Sequence, residues 1–306
     1  MNQYPRSYHL ALANHESWVY GSLSKTVKVF DKKTGTLLET LRVQHVSNIV
    51  PSPDGRLVAF AIEFPSSVKI FQAVEGHPLC FQLKTKGRGV PYIAFSADSR
   101  FLFIGCGNKI HMLSLIDYQV QIVFQAEPDG VCRGVTCTGD QVLAAFRNRN
   151  LKERPYLARI NGADHFTATR IALKEPLTPS LRDNSGLEWA YLLPSQEVVI
   201  GFAESHFVVA RASIEEDDRL SEAHEELRFG DIALDSFYSP QLNCVGVVSN
   251  MYHSFALFSL DSKRPIFQIE REDFIAYPSI SNSGRYLLIP CEKKSLIVDL
   301  QEELNR

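Results

Sequence analysis

No apolar run in this 306-residue chain approaches the about 18 consecutive residues that a membrane-crossing helix requires. The N-terminus, MNQYPRSYHL, has no basic leader, apolar core or small-residue cleavage signal. The chain is therefore expected to be neither exported nor membrane-spanning, and to work in the cytoplasm. Cysteine is sparse and scattered: Cys80, Cys106, Cys132, Cys137, Cys244 and Cys291 have spacings that make no disulfide framework and no zinc set. Cys132 and Cys137 are close enough to share a metal, but no second Cys or His pair stands near them. No metal or other cofactor is expected. A formal net charge of −3 and a pI near 6.3 argue against a chain devoted to nucleic acid. No Gly/Ser or Pro-rich linker and no low-complexity tract divides the chain, so residues 1–306 are read as one domain.

Catalytic signatures are missing as well. There is no G-x-S-x-G, no H-E-x-x-H and no phosphate-binding G-x-x-x-x-G-K-[ST]. Gly105 and Gly107 form a bare G-x-G between two strand-like runs, where no helix N-terminus can hold a phosphate.

What the chain does have is a repeat. A ten-residue hairpin signal returns seven times, as ANHESWVYGS (13–22), SPDGRLVAFA (52–61), SADSRFLFIG (96–105), CTGDQVLAAF (137–146), LPSQEVVIGF (193–202), SPQLNCVGVV (239–248) and SNSGRYLLIP (281–290). Each copy passes from polar turn formers into a β-branched or aromatic run, a tight turn feeding a buried strand. A strand-like segment precedes most copies, as in YHLAL (8–12) and PYIAF (91–95). A third, alternating segment follows, as in TVKVFDKKTG (26–35) and SVKIFQAVEG (67–76). Its period of two places Val27, Val29, Val68 and Ile70 on a buried face, and Lys28 and Lys69 on a solvated one. Weaker segments such as TLLETL (36–41) and PLCFQL (78–83) complete a fourth strand.

The copies start 39, 44, 41, 56, 46 and 42 residues apart, which is the length of a four-stranded propeller blade. Through the S-P-D-G-R type of turn and the apolar third strand, the chain resembles the WD-repeat-like β-propeller superfamily over essentially its whole length. The resemblance implies an all-β fold, a seven-bladed β-propeller of four-stranded antiparallel blades. The repeats are degenerate. In place of the Trp-Asp pair that closes the third strand of a WD repeat stand Phe30-Asp31, Phe71-Gln72, Leu115-Ile116 and Val298-Asp299, and Gly76-His77 lies out of place in its repeat. The last unit supplies only three strands, so MNQYPR is expected to pair as its outer strand and protect the open edge.

Two charged segments suggest where a partner docks. Mapped onto a propeller, KTKGRG (84–89) and RNRNLKER (147–154) are loops of one face, gathering Lys84, Lys86, Arg88, Arg147, Arg149, Lys152 and Arg154 against Glu153 alone. Such a sector suits another protein's acidic or phosphorylated segment. Nucleic acid is disfavoured, because no aromatic interleaves RNRNLKER as a stacking platform. The segment EEDDRLSEAHEE (215–226) carries seven acidic residues against Arg219 and should hang from the opposite face or the rim, with SEAHEEL expected as a short helix. A second candidate surface is SNMYHS (249–254), where Met251, Tyr252 and His253 join Phe64 and Pro65 as protein-contact groups.

The expected function is a non-catalytic protein-protein interaction platform, an adaptor, scaffold or inhibitory partner, with no catalytic residues. The alternatives are a propeller hydrolase or lactonase with its site at a channel mouth, and a binder of phosphorylated or nucleic-acid ligands through the basic sector. The enzyme reading needs acids or histidines converging from several blades. His9, His45, Glu188 and Asp235 stand at unequal offsets in their repeats, with Tyr92 and Arg133 at the corresponding places of other blades, so no convergent set is expected.

Overall fold

The computed structural model describes residues 2–13, 15–85, 89–148, 154–161, 166–173, 177–178, 186–203, 206–216, 218–221, 223–229 and 235–304. Along the chain these form β1 (Asn2–Pro5), β2 (His9–Leu12), β3 (Trp18–Leu23), β4 (Thr26–Asp31), β5 (Leu37–Leu41), β6 (Val46–Pro51), β7 (Leu57–Ile62), β8 (Ser67–Gln72) and β9 (Leu79–Lys84). There follow β10 (Tyr92–Phe95), β11 (Phe101–Cys106), β12 (Lys109–Ser114), β13 (Val120–Gln125), β14 (Gly130–Thr138), β15 (Gln141–Asn148), β16 (Tyr156–Asn161), β17 (Thr167–Ala172), β18 (Leu187–Leu192), β19 (Glu197–Ala203), β20 (Phe207–Ser213) and β21 (His224–Phe229). The last are β22 (Asp235–Ser239), β23 (Cys244–Ser249), β24 (Ser254–Ser259), β25 (Pro265–Glu270), β26 (Ser279–Ile280), β27 (Tyr286–Ile289) and β28 (Lys294–Asp299), then one short helix, α1 (Leu300–Leu304).

Consecutive strands make six four-stranded antiparallel sheets, from β2–β5 to β22–β25, and the seventh is β26, β27 and β28 completed by β1. The N-terminal segment pairs as the sequence suggested, Asn2 opposite Ile297 and Pro5 opposite Lys294. The chain divides into two compact units. Unit one comprises Met1–Lys84 with Ala233–Arg306 and holds four sheets; unit two is Thr85–Ile232 and holds three.

The recurring turn has a specific chemical basis. Ser52 donates through its hydroxyl to Asp54 Oδ1 at 2.7 Å and accepts the Leu57 amide at 2.9 Å, while Arg56 Nε donates to Asp54 Oδ2 at 2.6 Å. Ser96, Asp98 and Arg100 repeat this arrangement in the next sheet. Burial alone would raise the Asp98 carboxyl, but hydrogen bonds from Ser96 and Arg100 hold it at about 2. A side chain that satisfies its own turn in this way fixes where the second strand begins.

The sheets pack through both faces. In unit one Tyr20, Val27 and Val29 lie against Ile49, Val58 and Phe60 of the next sheet, and in unit two Leu143 and Leu157 lie against Ile200, Phe202 and Val208. Each such side chain contributes about 1.5–3 kcal/mol on burial. Close approach needs small residues: a Cβ on Gly201 would collide with the Trp189 indole, and one on Gly246 with the Phe237 ring. His77 is a buried polar member of this packing. Its Nε2 meets the Tyr20 hydroxyl at 3.2 Å and its Nδ1 meets Glu39 Oε2 at 2.7 Å, so it bonds residues of the preceding sheet.

Three local expectations are corrected. Of the segment expected as a helix, SEAHEEL, residues 224–227 lie in β21 instead. Leu227 pairs with Val209 and is buried, and the tertiary pairing overrides helix propensity. The third strand of the β10–β13 sheet ends at Leu113-Ser114, because Ser114 pairs with Phe101, and not at Leu115-Ile116. The final third strand, by contrast, stops at Val298-Asp299 as expected, the Asp299 carboxylate accepting the Gln301 amide at 3.1 Å as α1 begins. Lys28 and Lys69 are half-buried rather than fully solvated.

Candidate functional site

In unit two, the innermost strands β14 and β18 each carry one extra residue. Cys132 and Gly134 face consecutive partners, Phe146 and Ala145, which leaves Arg133 out of the ladder. Leu187 and Trp189 face Phe202 and Gly201, which leaves Glu188 out. A bulge re-aims the side chain of its unpaired residue, and these two meet: Arg133 Nη2 donates to Glu188 Oε2 at 2.5 Å. Arg147, paired across the sheet with Val131, donates from Nη1 to Glu188 Oε1 at 3.3 Å. Burial raises the Tyr92 phenol above its ordinary range, and Arg133, Glu188 and Arg147 all act on it electrostatically. Glu188, through its charge and its hydrogen bond, holds the Arg133 guanidinium protonated against the effect of burial.

Unit one presents aromatic rings instead. Antiparallel neighbours turn back on themselves, so the starts of innermost strands and the ends of second strands share one end of each sheet. At that end His9 stacks on Tyr277, with centroids 4.6 Å apart and planes 6° apart, and Tyr252 stacks on Phe274 at 4.3 Å. The backbone ties these loops together. Tyr277 N donates to the Tyr8 carbonyl at 3.4 Å, and Ile275 N to the Tyr252 carbonyl at 2.7 Å. Burial lowers His9 to about 4. The Tyr277 phenol is raised by burial and then by the negative charges of Asp235 and Glu63, with Tyr252 adding to the effect, so these groups share its surroundings. Around them stand exposed apolar groups: Tyr8 at 44 %, Tyr277 at 47 %, Phe64 at 65 % and Met251 at 74 % relative exposure. Phe64 makes an edge contact with His45, and Met251 sits in a left-handed backbone conformation, φ 54°.

Many solved structures resemble the chain, and two of them illustrate the likeness over nearly its whole length. A chain of hydrazine synthase from Kuenenia stuttgartiensis superposes with a TM-score of 0.73 at 12 % identity, covering 96 % of this chain and 96 % of its own. The β-propeller domain of Swd1 from Myceliophteria thermophila does so with a TM-score of 0.73 at 11 % identity, covering 98 % of this chain and 99 % of its own. The fold is a seven-bladed β-propeller. At these identities the likeness is one of fold alone, and it agrees with the propeller fold expected from the sequence. No family model matches the propeller's sequence. No curated protein sequence matches it either.

The residues expected to form a basic sector are distributed as follows. Lys84 is exposed at the end of β9 in unit one. Arg147 lies in unit two and is engaged by Glu188, which removes much of its free charge. Arg154 is exposed just before β16, and Lys86, Arg88, Arg149 and Lys152 lie outside the described residues. Tyr252 and His253 fall at the aromatic end of unit one. Tyr252 packs against Phe274, while the His253 carbonyl accepts the Arg271 amide at 2.8 Å.

The acidic segment does not simply hang in solvent. Asp218 pairs with Arg159 at 2.8 Å and Glu226 with Arg211 at 3.3 Å, and Leu220 and Ala223 between them are buried. Among the described residues no group of three or more His, Cys, Asp or Glu side chains could hold a metal, and no helix is long and apolar enough to cross a membrane.

The convergence of Tyr92, Arg133, Arg147 and Glu188 went unseen in the sequence because each bulge shifts its strand by one residue. Arg133 and Glu188 therefore stand at equivalent places in the two sheets while their plain distances from the hairpin signals differ.

Proposed function

We propose that this propeller is a non-catalytic interaction platform that receives another protein on the aromatic end of unit one. The observation carrying this reading is the gathering of Tyr8, Phe64, Met251 and Tyr277, all exposed, around two stacked ring pairs. Rings already locked by stacking lose little freedom on binding, and aromatic and Met side chains dominate protein interfaces. Glu63 and Asp235 beside Tyr277 give the surface negative charge. The partner segment that fits is apolar with Lys or Arg side chains, which would lie over the rings as cations and toward these carboxylates.

The test compares wild-type protein with Phe64→Asp and Met251→Asp in affinity capture from the native host, with bound proteins quantified. Both side chains are exposed, so thermal stability should stay within about 0.5 kcal/mol. Capture of one partner should fall at least about tenfold, and it should weaken with added salt if the partner is basic. A partner retained equally by both variants would remove this surface from consideration.

A further inference from the structure

We propose that the bulged strands of unit two build a carboxylate-binding site from Arg133, Arg147 and Tyr92, with Glu188 as its internal counter-charge. The two guanidinium groups approach one carboxylate from different strands, each through a single N–H, so most of their donors remain for a ligand. Arg133 Nε is buried and has no hydrogen-bond partner among the described residues. A buried guanidinium donor left without an acceptor is costly, and an anion is the group that relieves it.

Charge selects the class. Two cations and one anion leave a net positive charge of one, and Tyr92 is neutral because burial raises its phenol. A monocarboxylate brings the cluster to neutrality, whereas a phosphate dianion would leave an uncompensated charge in a half-buried site. Planar, bidentate presentation to arginine also favours a carboxylate. Bulges at the same place in adjacent sheets are a device for aiming side chains that the regular ladder would bury. The site is built from residues of unit two alone.

The full chain, labelled with isotopic arginine, is titrated with acetate and separately with acetamide at constant ionic strength, following the arginine Nε–Hε resonances. The Arg133 signal, identified by its absence in Arg133→Lys, should shift saturably with acetate and stay fixed with acetamide. Arg147→Gln should weaken acetate by about tenfold, the loss of one charge-assisted hydrogen bond. Glu188→Gln, which removes the competing carboxylate, should tighten it. Arg170→Gln, in an ion pair with Glu127 elsewhere in unit two, should change nothing.

A short peptide with a free C-terminal carboxylate, compared with its amidated form, separates the sources. Tighter binding than acetate, lost on amidation, indicates a polypeptide terminus. Equal affinity for peptide and acetate indicates a free small acid. A response that never saturates, or the same isotherm in wild type and in folded Arg147→Gln, overturns the proposal.

Discussion

Unit one and unit two use the same four-stranded sheet and finish it differently. In unit one the ends of the inner strands carry His9, Tyr252 and Tyr277, rings that stack on rings and leave apolar surface facing water. In unit two the corresponding strands carry Arg133 and Glu188, delivered by bulges and satisfied chiefly by one another. Apolar contacts are non-directional, so an aromatic surface tolerates loops of several lengths. A charge pair is directional and desolvation is costly, so it requires strands whose register brings the groups together. The scaffold is shared, and β6 of unit one carries the same kind of bulge, which leaves out Ser47, so the residue standing at the bulge decides which kind of surface the strand presents.

The largest effect expected from breaking this contrast is in unit two. Glu188→Leu strands two guanidinium groups against each other and should cost about 2–3 kcal/mol, read as a lower urea midpoint. If the loss is below about 0.5 kcal/mol, the cluster is solvated surface and not a directional site. The polar link inside unit one should matter less. His77→Phe keeps the ring contacts with Trp18 and Tyr20 but leaves the Tyr20 hydroxyl buried without its partner, for about 1.5 kcal/mol.

The smallest effect is a pH dependence. Burial holds His9 at about 4, below its ordinary value of about 6.5, so the unfolded chain takes up a proton before the folded one. Stability from this site is complete above pH 6.5, falls as pH drops through that window, and levels off below 4. With water able to reach part of the site, the change is on the order of 1 kcal/mol. Urea midpoints between pH 7 and 4.5 should fall less in His9→Phe than in wild type. That window lies above the titration of the depressed carboxyls Asp54 and Asp98.

Much of the fold was legible because the hairpin signal is chemically self-sufficient. Ser52, Asp54 and Arg56 make their turn from residues within five positions of each other, so the pattern survives in sequence and marks each second strand. Tyr252 and Phe64 were legible as surface groups for a similar reason, being loop residues flanked by clear strands. What escaped was everything fixed by neighbours distant in sequence. The HEELRF segment became a strand because Val209 and Phe207 were waiting for it, against its helical composition. Arg133 and Glu188 met across 55 positions through two one-residue insertions that no periodicity reports. His77 looked displaced until its partners Tyr20 and Glu39 were known.

The seventh sheet joins segments far apart in the sequence, with Asn2 paired alongside Ile297. β1 leaves the ribosome nearly three hundred residues before β28 and must wait unpaired until β28 emerges to receive it. Completion of this sheet therefore comes after the strands of the other six have been made, and it works as a clasp. A nascent chain stalled before β28 would expose two unpaired strand edges to whatever chaperone or aggregate is nearby.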